Sequence, residues 1–107
     1  MLRWIKSLPP AAADKCLIQL ERLRAMGHEL RRPAADYLEN GVYELRARHG
    51  RVNYRMLYFF HGQLVIAVSH GFAKPDARVP RQEIERALQR RWRFSSDPQR
   101  YSHAMRG

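Results

Sequence analysis

The apolar residues near the N-terminus recur with the spacing of an amphipathic helix. The pattern covers residues 7–27, and its apolar stripe consists of Cys16, Leu20 and Leu23. Ser7 is the expected N-cap, the nearby Pro-Pro pair suits a first helical turn, and Gly27 is the expected end. This segment therefore predicts a helix that buries one face.

The segment after this helix carries a weaker pattern. Pro33 disfavours helical backbone at Arg32, and a short helix is expected after the proline. The Asn40-Gly41 pair closes the segment. We therefore predict a second, shorter helix before the centre of the chain.

The centre of the chain has the composition of β-strands. Runs rich in Tyr, Val, Phe and Ile cover residues 42–48, 51–60 and 63–71. The His49-Gly50 and His61-Gly62 pairs separate these runs and are expected to form tight hairpin turns. The pattern predicts three consecutive antiparallel strands.

A helical pattern returns near the C-terminus. Pro80 is the expected start, and Ile84, Leu88 and Trp92 follow at helical spacing with Ala87 beside them. This stripe is predicted to face the core. The arginines expected to face water are Arg86, Arg90 and Arg93.

The order of these elements predicts the fold class. Two helices, three strands and one helix indicate an α+β fold, a small antiparallel meander with two N-terminal helices and one C-terminal helix on one face. Residues 1–94 form the predicted domain. Residues 95–107 lack periodicity and are predicted to be a flexible basic tail.

Charge narrows the class of partner. The chain has 107 residues, a net charge of +10 and a pI of about 10.8. Such an excess of Lys and Arg favours a polyanion: nucleic acid, the ribosome, an anionic membrane surface or an acidic protein. Charge alone does not choose among these.

Several functions are excluded or disfavoured by what the sequence lacks. Cys16 is the sole cysteine, so no intramolecular disulfide and no cysteine-based metal set can form. No histidine motif typical of a metal site is present, and we expect no cofactor. No apolar run has the length of a signal peptide or a membrane span, which predicts a cytoplasmic protein with no membrane partner.

The first hairpin turn sets which side chains share a face. A two-residue turn at 49–50 places Arg48 opposite Arg51 and Arg46 opposite Asn53. The apolar face is then Tyr43, Leu45, Ala47, Val52, Tyr54, Met56 and Tyr58. The polar face is Glu44, Arg46, Arg48, Arg51, Asn53 and Arg55.

The second turn extends the polar face to a third strand. A turn at 61–62 places Arg46, Asn53 and His70 in one row, with Arg55 diagonal to it. Phe72 and Lys74 continue this face. The arginines either solvate the outside of the sheet or bind a polyanion. The second interpretation is favoured, because a polyanion would relieve the repulsion between adjacent arginines.

Motifs along the same segment resemble one protein superfamily. "GVYELR", "YRMLYFF", "HGFAK" and "PRQEIERAL" occur in order, after a first helix "SLPPAAADKCLIQLERL". Over about residues 8–93 the chain resembles the RelE/ParE toxin superfamily, specifically its phage-derived HigB-like branch. The sequence departs from the family pattern in three places. The first strand is short or absent, Ala73-Lys74 stands where a Lys-Lys pair is usual, and the stretch between Lys74 and Pro80 lacks the usual polar run.

The resemblance implies the toxin of a type II toxin–antitoxin pair. Many members enter the ribosomal A site and cut translated mRNA without metal. The implied partners are the ribosome, mRNA and a cognate antitoxin, commonly of helix-turn-helix type, with which a heterotetramer is expected. Two alternatives stay open: inhibition of DNA gyrase, as on the ParE side, and a non-catalytic module that binds RNA or a partner.

RNA cleavage of this kind requires positioning, charge stabilisation and proton transfer. Our hypothesis assigns the scissile phosphate to Arg46 and Arg55, because guanidinium matches phosphate geometry. Lys74 holds the developing charge or a neighbouring phosphate. His70 carries the proton, and Asn53 orients it. The RNA-binding set is completed by Arg48, Arg51 and Phe72.

Overall fold

The computed structural model describes residues 2–62, 65–74 and 79–96, with Leu2, Val65 and Lys74 described by their backbone alone. The helices are α1 (Leu2–Ser7), α2 (Pro10–Met26) and α3 (Arg81–Ser96), and a 3₁₀ turn covers Gly27–Glu29. The strands are β1 (Ala35–Glu39), β2 (Val42–His49), β3 (Val52–His61) and β4 (Val65–Lys74).

The α+β fold class is confirmed. Four strands form one antiparallel sheet in the order β1-β2-β3-β4, with two N-terminal helices and one C-terminal helix. The short helix predicted after Pro33 is wrong, because Ala35–Glu39 is an edge strand paired with β2. Backbone pairing with β2 outweighs the weak local helical preference of this segment.

The N-terminal helical region divides differently from the prediction. Ser7 ends α1 and its hydroxyl donates to the Trp4 carbonyl oxygen, so its assignment as the N-cap of the long helix is wrong. α2 begins at Pro10 without a side-chain cap. Gly27 ends α2 with φ of 55°, as predicted for a glycine stop.

The predicted apolar face of the sheet packs under α2. Cys16, Leu20 and Leu23 of α2 are buried against the sheet. The strand residues in this cluster include Leu45, Ala47, Tyr54, Met56 and Tyr58, with Tyr43 partly buried beside them. Val52 is an exception, because it lies exposed next to the hairpin turn. The prediction of which residues share this face is therefore confirmed in all but one position.

Gly71 of β4 allows α1 to pack closely on the same face. A Cβ at this position would lie 2.4 Å from Cε3 of Trp4, closer than carbon atoms approach without a shift. The Trp4 ring therefore occupies the space that any larger residue at position 71 would need. This contact holds α1 against β4.

The first hairpin differs from the predicted register by two residues. His49 pairs with Val52 and Arg46 with Arg55, so the turn residues are Gly50 and Arg51. Gly50 has φ of 62° at the first turn position, where two-residue hairpins require positive φ. A displacement by two residues preserves the face of every side chain, which is why the face assignment survived.

The second hairpin is also displaced. Asn53 pairs with Lys74, Arg55 with Phe72, and a bulge follows Leu57. Because His61 pairs with Val65, the connection covers residues 62–64, of which 63–64 lie outside the described residues. The predicted turn at 61–62 is therefore wrong.

The C-terminal helix packs on the face opposite α2. Its buried Ala87 joins Val42, Leu57 and Val79 in a second cluster, with Ile84 and Leu88 packed against them. The prediction that all helices lie on one face is therefore wrong. The sheet is covered by α2 on one side and by α3 on the other.

The aromatic residues of α3 are oriented differently from the prediction. Trp92, predicted to face the core, is 73% exposed, whereas Phe94 is 6% exposed and stacks edge-on against Phe59. The buried positions continue from Ala87 by seven residues to Phe94, which is two helical turns. α3 ends at Ser96, and the remainder of the predicted tail, 97–107, lies outside the described residues.

Candidate functional site

The polar residues predicted to meet form two rows on the face that carries α3. One row is Arg46, Arg55 and Phe72, and the next is Arg48, Asn53 and Lys74. The predicted row of Arg46, Asn53 and His70 is wrong, because each hairpin turn is displaced along the chain. His70 instead pairs with Leu57.

Beyond the edge of α3, the end of the sheet presents a cationic surface. We name it the sheet-end patch, and it consists of Arg46, Arg48, Arg51, Asn53 and the backbone position of Lys74. Arg48 and Arg51 are exposed, and Arg46 and Asn53 are partly exposed. Arg48 Nε donates to the Gly50 carbonyl oxygen at 3.2 Å. The patch is accessible to a macromolecular anion from solvent.

The repulsion argued from Arg48 opposite Arg51 does not hold. Arg51 lies in the turn, and the residue opposite Arg48 is Asn53. An amide opposite a guanidinium carries no charge repulsion. The patch is still rich in positive charge, but its strands are paired without a like-charge clash at this point.

Arg55 is withdrawn from the patch into a buried ion pair. Its side chain is 3% exposed, and its Nη1 donates to Glu44 Oε2 at 2.7 Å. Glu44 is 1% exposed. Arg55 is therefore buried and does not lie open to a phosphate from solvent, and its predicted role at the scissile phosphate stays a prediction.

Arg46 connects this buried pair to solvent. Its side chain is 37% exposed, and its Nε donates to Glu44 Oε1 at 2.5 Å. A second carboxylate, Asp36 on β1, accepts from Arg46 at 3.3 Å. Two carboxylates thus fix the guanidinium at the margin of the patch, while part of the side chain remains exposed to solvent.

His70 lies beneath α3 and outside the patch. The ring is 6% exposed, and Ser69 Oγ lies 2.9 Å from its Nδ1. Its Nε2 is 3.6 Å from Glu83 Oε1, too long for a hydrogen bond, and has no hydrogen-bond partner among the described residues. The prediction that Asn53 orients His70 is wrong, since Asn53 lies two rows away.

Sequence reasoning missed the α3 residues around this histidine. Arg90 was expected to face water, yet it is half-buried and its Nη1 donates to the Ser69 carbonyl oxygen. Glu83, Arg86 and Arg90 lie on the same helix face. Arg86 follows Glu83 by three residues, and Arg90 follows Arg86 by four. That spacing was visible in the sequence, but the side of the sheet on which α3 packs was not.

The surroundings of His70 keep its ring neutral. Burial, followed by the positive charges of Arg86 and Arg90, lowers the pKa of His70 to about 4. A neutral imidazole at pH 7 has the protonation state of a general base. It cannot act on a solvent-borne substrate while α3 covers it.

Acidification from pH 7 to pH 4 is expected to destabilise the fold through His70. Its pKa is about 4 when folded and 6.5 when exposed, so the unfolded chain binds more protons in this window. The contribution of His70 to the free energy of unfolding is therefore fully present above pH 6.5. It is lost as the pH approaches 4, by about 3 kcal/mol in total. Urea unfolding midpoints measured at several pH values check this.

The matched variant for this measurement is His70→Gln, which is polar and does not titrate. Its stability is expected to be flat between pH 6.5 and pH 4.5. Asp36, whose pKa is lowered by its hydrogen bond with Arg32, stabilises the fold above its ordinary pKa of 3.8 and loses this contribution as the pH falls through and below that value. If His70→Gln keeps the wild-type dependence of stability on pH, a different group causes that dependence.

Phe72 packs into the cluster beneath α3. It is partly buried against Val42 and Leu57, and its ring lies 5.9 Å from the ring of His70. A ring packed in this way offers only part of its surface to solvent. Its predicted place in the RNA-binding set stays a prediction.

Within residues 2–62, 65–74 and 79–96, no group of three His, Cys, Asp or Glu side chains could hold a metal ion. Among the helices that the structure describes, none combines the length and apolar character needed to cross a membrane.

Comparison with known proteins identifies a related family. The sequence model of a family described as "Phage derived protein Gp49-like (DUF891)" matches residues 3–92, from α1 into the last turns of α3. No curated protein matches the chain. The match covers the whole sheet, the sheet-end patch and the surroundings of His70.

Proposed function

The chain belongs to the Gp49-like family of phage-derived proteins, part of the RelE/ParE-like toxin superfamily, and on this premise we propose that it is the toxin of a type II toxin–antitoxin pair. Its proposed activity is that of the HigB-like branch, ribosome-dependent cleavage of mRNA. Family membership supports the toxin role. The net charge of +10 supports an anionic target.

One observation carries the choice of RNA as the target. Arg48, Asn53 and Lys74 lie side by side on three adjacent strands, directly beside the partly exposed Arg46. Two cationic residues and an amide in a row across the sheet suit successive phosphates of a single strand. The family supplies the biological context, and this row supplies the chemistry.

The proposed reaction requires no metal. The 2′-hydroxyl gives up its proton to a base and its oxygen attacks the adjacent phosphate, so that the bond from phosphorus to the 5′-oxygen breaks and a 2′,3′-cyclic phosphate forms. The 5′-oxygen takes a proton from water as it leaves. Arg46 is the proposed ligand of the scissile phosphate, because both carboxylates that hold it leave part of the guanidinium accessible. Lys74 and Arg48 hold the negative charge that develops on the phosphoryl oxygens.

The proposed roles of Arg55 and His70 differ from direct contact of both side chains with an exposed substrate. Arg55 supports the site from below, since it binds the same carboxylate, Glu44, that fixes Arg46. Proton transfer by His70 requires that α3 move away from β4, because the ring is buried. Its neutral state at pH 7 suits the acceptance of a proton from the 2′-hydroxyl.

Expression of the chain without any partner tests the proposal. Growth is expected to stop, and primer extension on cellular mRNAs is expected to show cuts in phase with codons. An inhibitor of translation initiation, added before induction, should abolish the cuts because the activity requires translating ribosomes.

Other outcomes would move the assignment to a different class. Growth arrest with intact mRNA and a DNA-damage response would indicate gyrase inhibition. Unaffected growth would indicate a non-toxic binding module. Neutralisation by a helix-turn-helix antitoxin in a heterotetramer is part of the same proposal, and co-expression with neighbouring open reading frames identifies that partner.

A further inference from the structure

A cleft lies beside the sheet-end patch, at the edge of the sheet where β1 stops. β1 pairs with β2 only as far as Leu45, and one further hydrogen bond joins Arg46 N to the Ala34 carbonyl oxygen. Beyond this point the end of β2 has α2 as its neighbour. The cleft between them has a volume of about 390 Å³.

The walls of this cleft are cationic. Arg22 of α2, Arg46 and Arg48 contribute guanidinium groups, and Gln19 and Asn53 contribute amides. The remaining lining residues are apolar or small, and no carboxylate is among them. Such a lining favours an anion that also accepts several hydrogen bonds.

The α2 wall is fixed to the sheet by two hydrogen bonds in series. Gln19 Nε2 donates to the Arg46 carbonyl oxygen at 2.6 Å, and Arg22 Nη1 donates to Gln19 Oε1 at 3.0 Å. Arg22 is thereby positioned at the cleft, and its other donors remain for a ligand. The helix and the strand end therefore form one prearranged surface.

We infer that this cleft binds a phosphate of single-stranded RNA, with Arg22 as a ligand from α2. The inference rests on the proposed function, since it continues the strand that crosses the patch. Arg46, Arg48 and Asn53 line both surfaces, so a strand that leaves the patch enters the cleft without a gap. The volume suits a nucleotide and is too small for a duplex.

RNA explains the lining better than an acidic peptide does. The carboxylates of an acidic peptide would also bind these arginines. Such a peptide does not need a cleft that continues into the row of Arg48, Asn53 and Lys74 on the sheet. A single-stranded chain of phosphates does require it, because its charges follow one another at short, regular intervals.

The test compares two arginines of the same helix. Arg22→Ala removes the α2 ligand, whereas Arg24→Ala removes an equal charge that is paired with Glu21 outside the cleft. The probe is a fluorescein-labelled ten-nucleotide oligouridylate, followed by anisotropy over a series of salt concentrations. An oligothymidylate of equal length reports whether the sugar matters.

Arg22→Ala is expected to weaken oligouridylate binding by roughly tenfold, the loss of one charge-assisted contact. The slope of log affinity against log salt should fall by about 0.7, the value for one phosphate of a single strand. Arg24→Ala is expected to change the affinity and the slope little. Arg22→Lys should restore much of the slope.

Equal affinities of the Arg22→Ala, Arg24→Ala and wild-type chains would overturn the inference. Binding of a polyglutamate peptide without binding of oligouridylate would overturn it in favour of a protein partner. The proposed function is judged separately by mRNA cleavage in a translating extract. Arg22-dependent RNA binding by a chain that cuts no mRNA would leave the cleft assignment standing and reject the nuclease.

Discussion

Glu44→Leu is expected to destabilise the fold by about 3–5 kcal/mol, the range found when one partner of a buried ion pair is removed. Arg55 is 3% exposed and donates to Glu44 Oε2 at 2.7 Å. Without this carboxylate the buried guanidinium loses a partner that offsets the cost of its desolvation. Because small domains are stable by only about 5–15 kcal/mol, much of the margin would disappear. Urea unfolding measures the effect.

Two variants separate the buried pair from ordinary surface pairing. Glu39→Leu removes the partner of Arg81 at an exposed pair between β1 and α3, and should change stability by less than about 1 kcal/mol. The double variant Glu44→Leu/Arg55→Met replaces the buried pair by apolar side chains and should recover most of the loss. Equal effects of Glu44→Leu and Glu39→Leu would contradict the buried pair.

This pair changes how variants of the site must be interpreted. Because Arg55 is buried in an ion pair, loss of activity in Arg55→Ala would not distinguish unfolding from loss of chemistry. Arg46 is a cleaner position, because it is partly exposed and Glu44 keeps Arg55 as a partner when Arg46 is removed. Only variants whose unfolding midpoints match the wild type can report on chemistry.

The division of side chains between the two faces of the sheet was predictable from sequence. A strand has a period of two, so the side chains that share a face stay the same when the pairing between strands shifts by an even number of residues. The first turn moved by one residue, from 49–50 to 50–51, which shifts the pairing by two and preserves the faces. The predicted rows of directly opposite residues were wrong, because they depend on the position of the turn itself. Gly50 at the first turn position was the available signal.

The side of the sheet chosen by α3 was harder to predict. Its stripe of Ile84, Ala87 and Leu88 indicates that the helix packs, without indicating on which face. Val42 and Leu57 share a face with the arginines, and this apolar pair indicated a surface against which a helix packs. Once α3 covers it, burial follows for side chains that the alternating pattern alone would leave in water.

Burial separates the site residues that were misplaced from those that were not. Arg55 and His70 are buried, whereas Arg48 and Arg51 are exposed as predicted. Arg22 was missed because a polar residue on a helix is ordinarily solvated. Its relation to the strand end depends on how α2 crosses the sheet, which is a property of packing.

Arg46→Ala is expected to slow mRNA cleavage by about tenfold to a hundredfold, the equivalent of one charge-assisted hydrogen bond to the phosphate. Lys74→Ala should have an effect of similar size, because its backbone position continues the row of Arg48 and Asn53. The measurement is the rate of cleavage of a defined message in a translating extract. Purified chains are used at equal concentration.

The matched control is Arg81→Ala. Arg81, like Arg46, is bound by two carboxylates, Glu39 and Glu85, but it lies at the start of α3 outside the patch. A general effect of charge on ribosome association would slow both variants alike, whereas a role at the phosphate slows Arg46→Ala alone. Equal rates for the two variants would remove Arg46 from the site. An unchanged affinity for ribosomes with slower cleavage would place its contribution in the chemical step, where developing charge on the phosphate strengthens the contact.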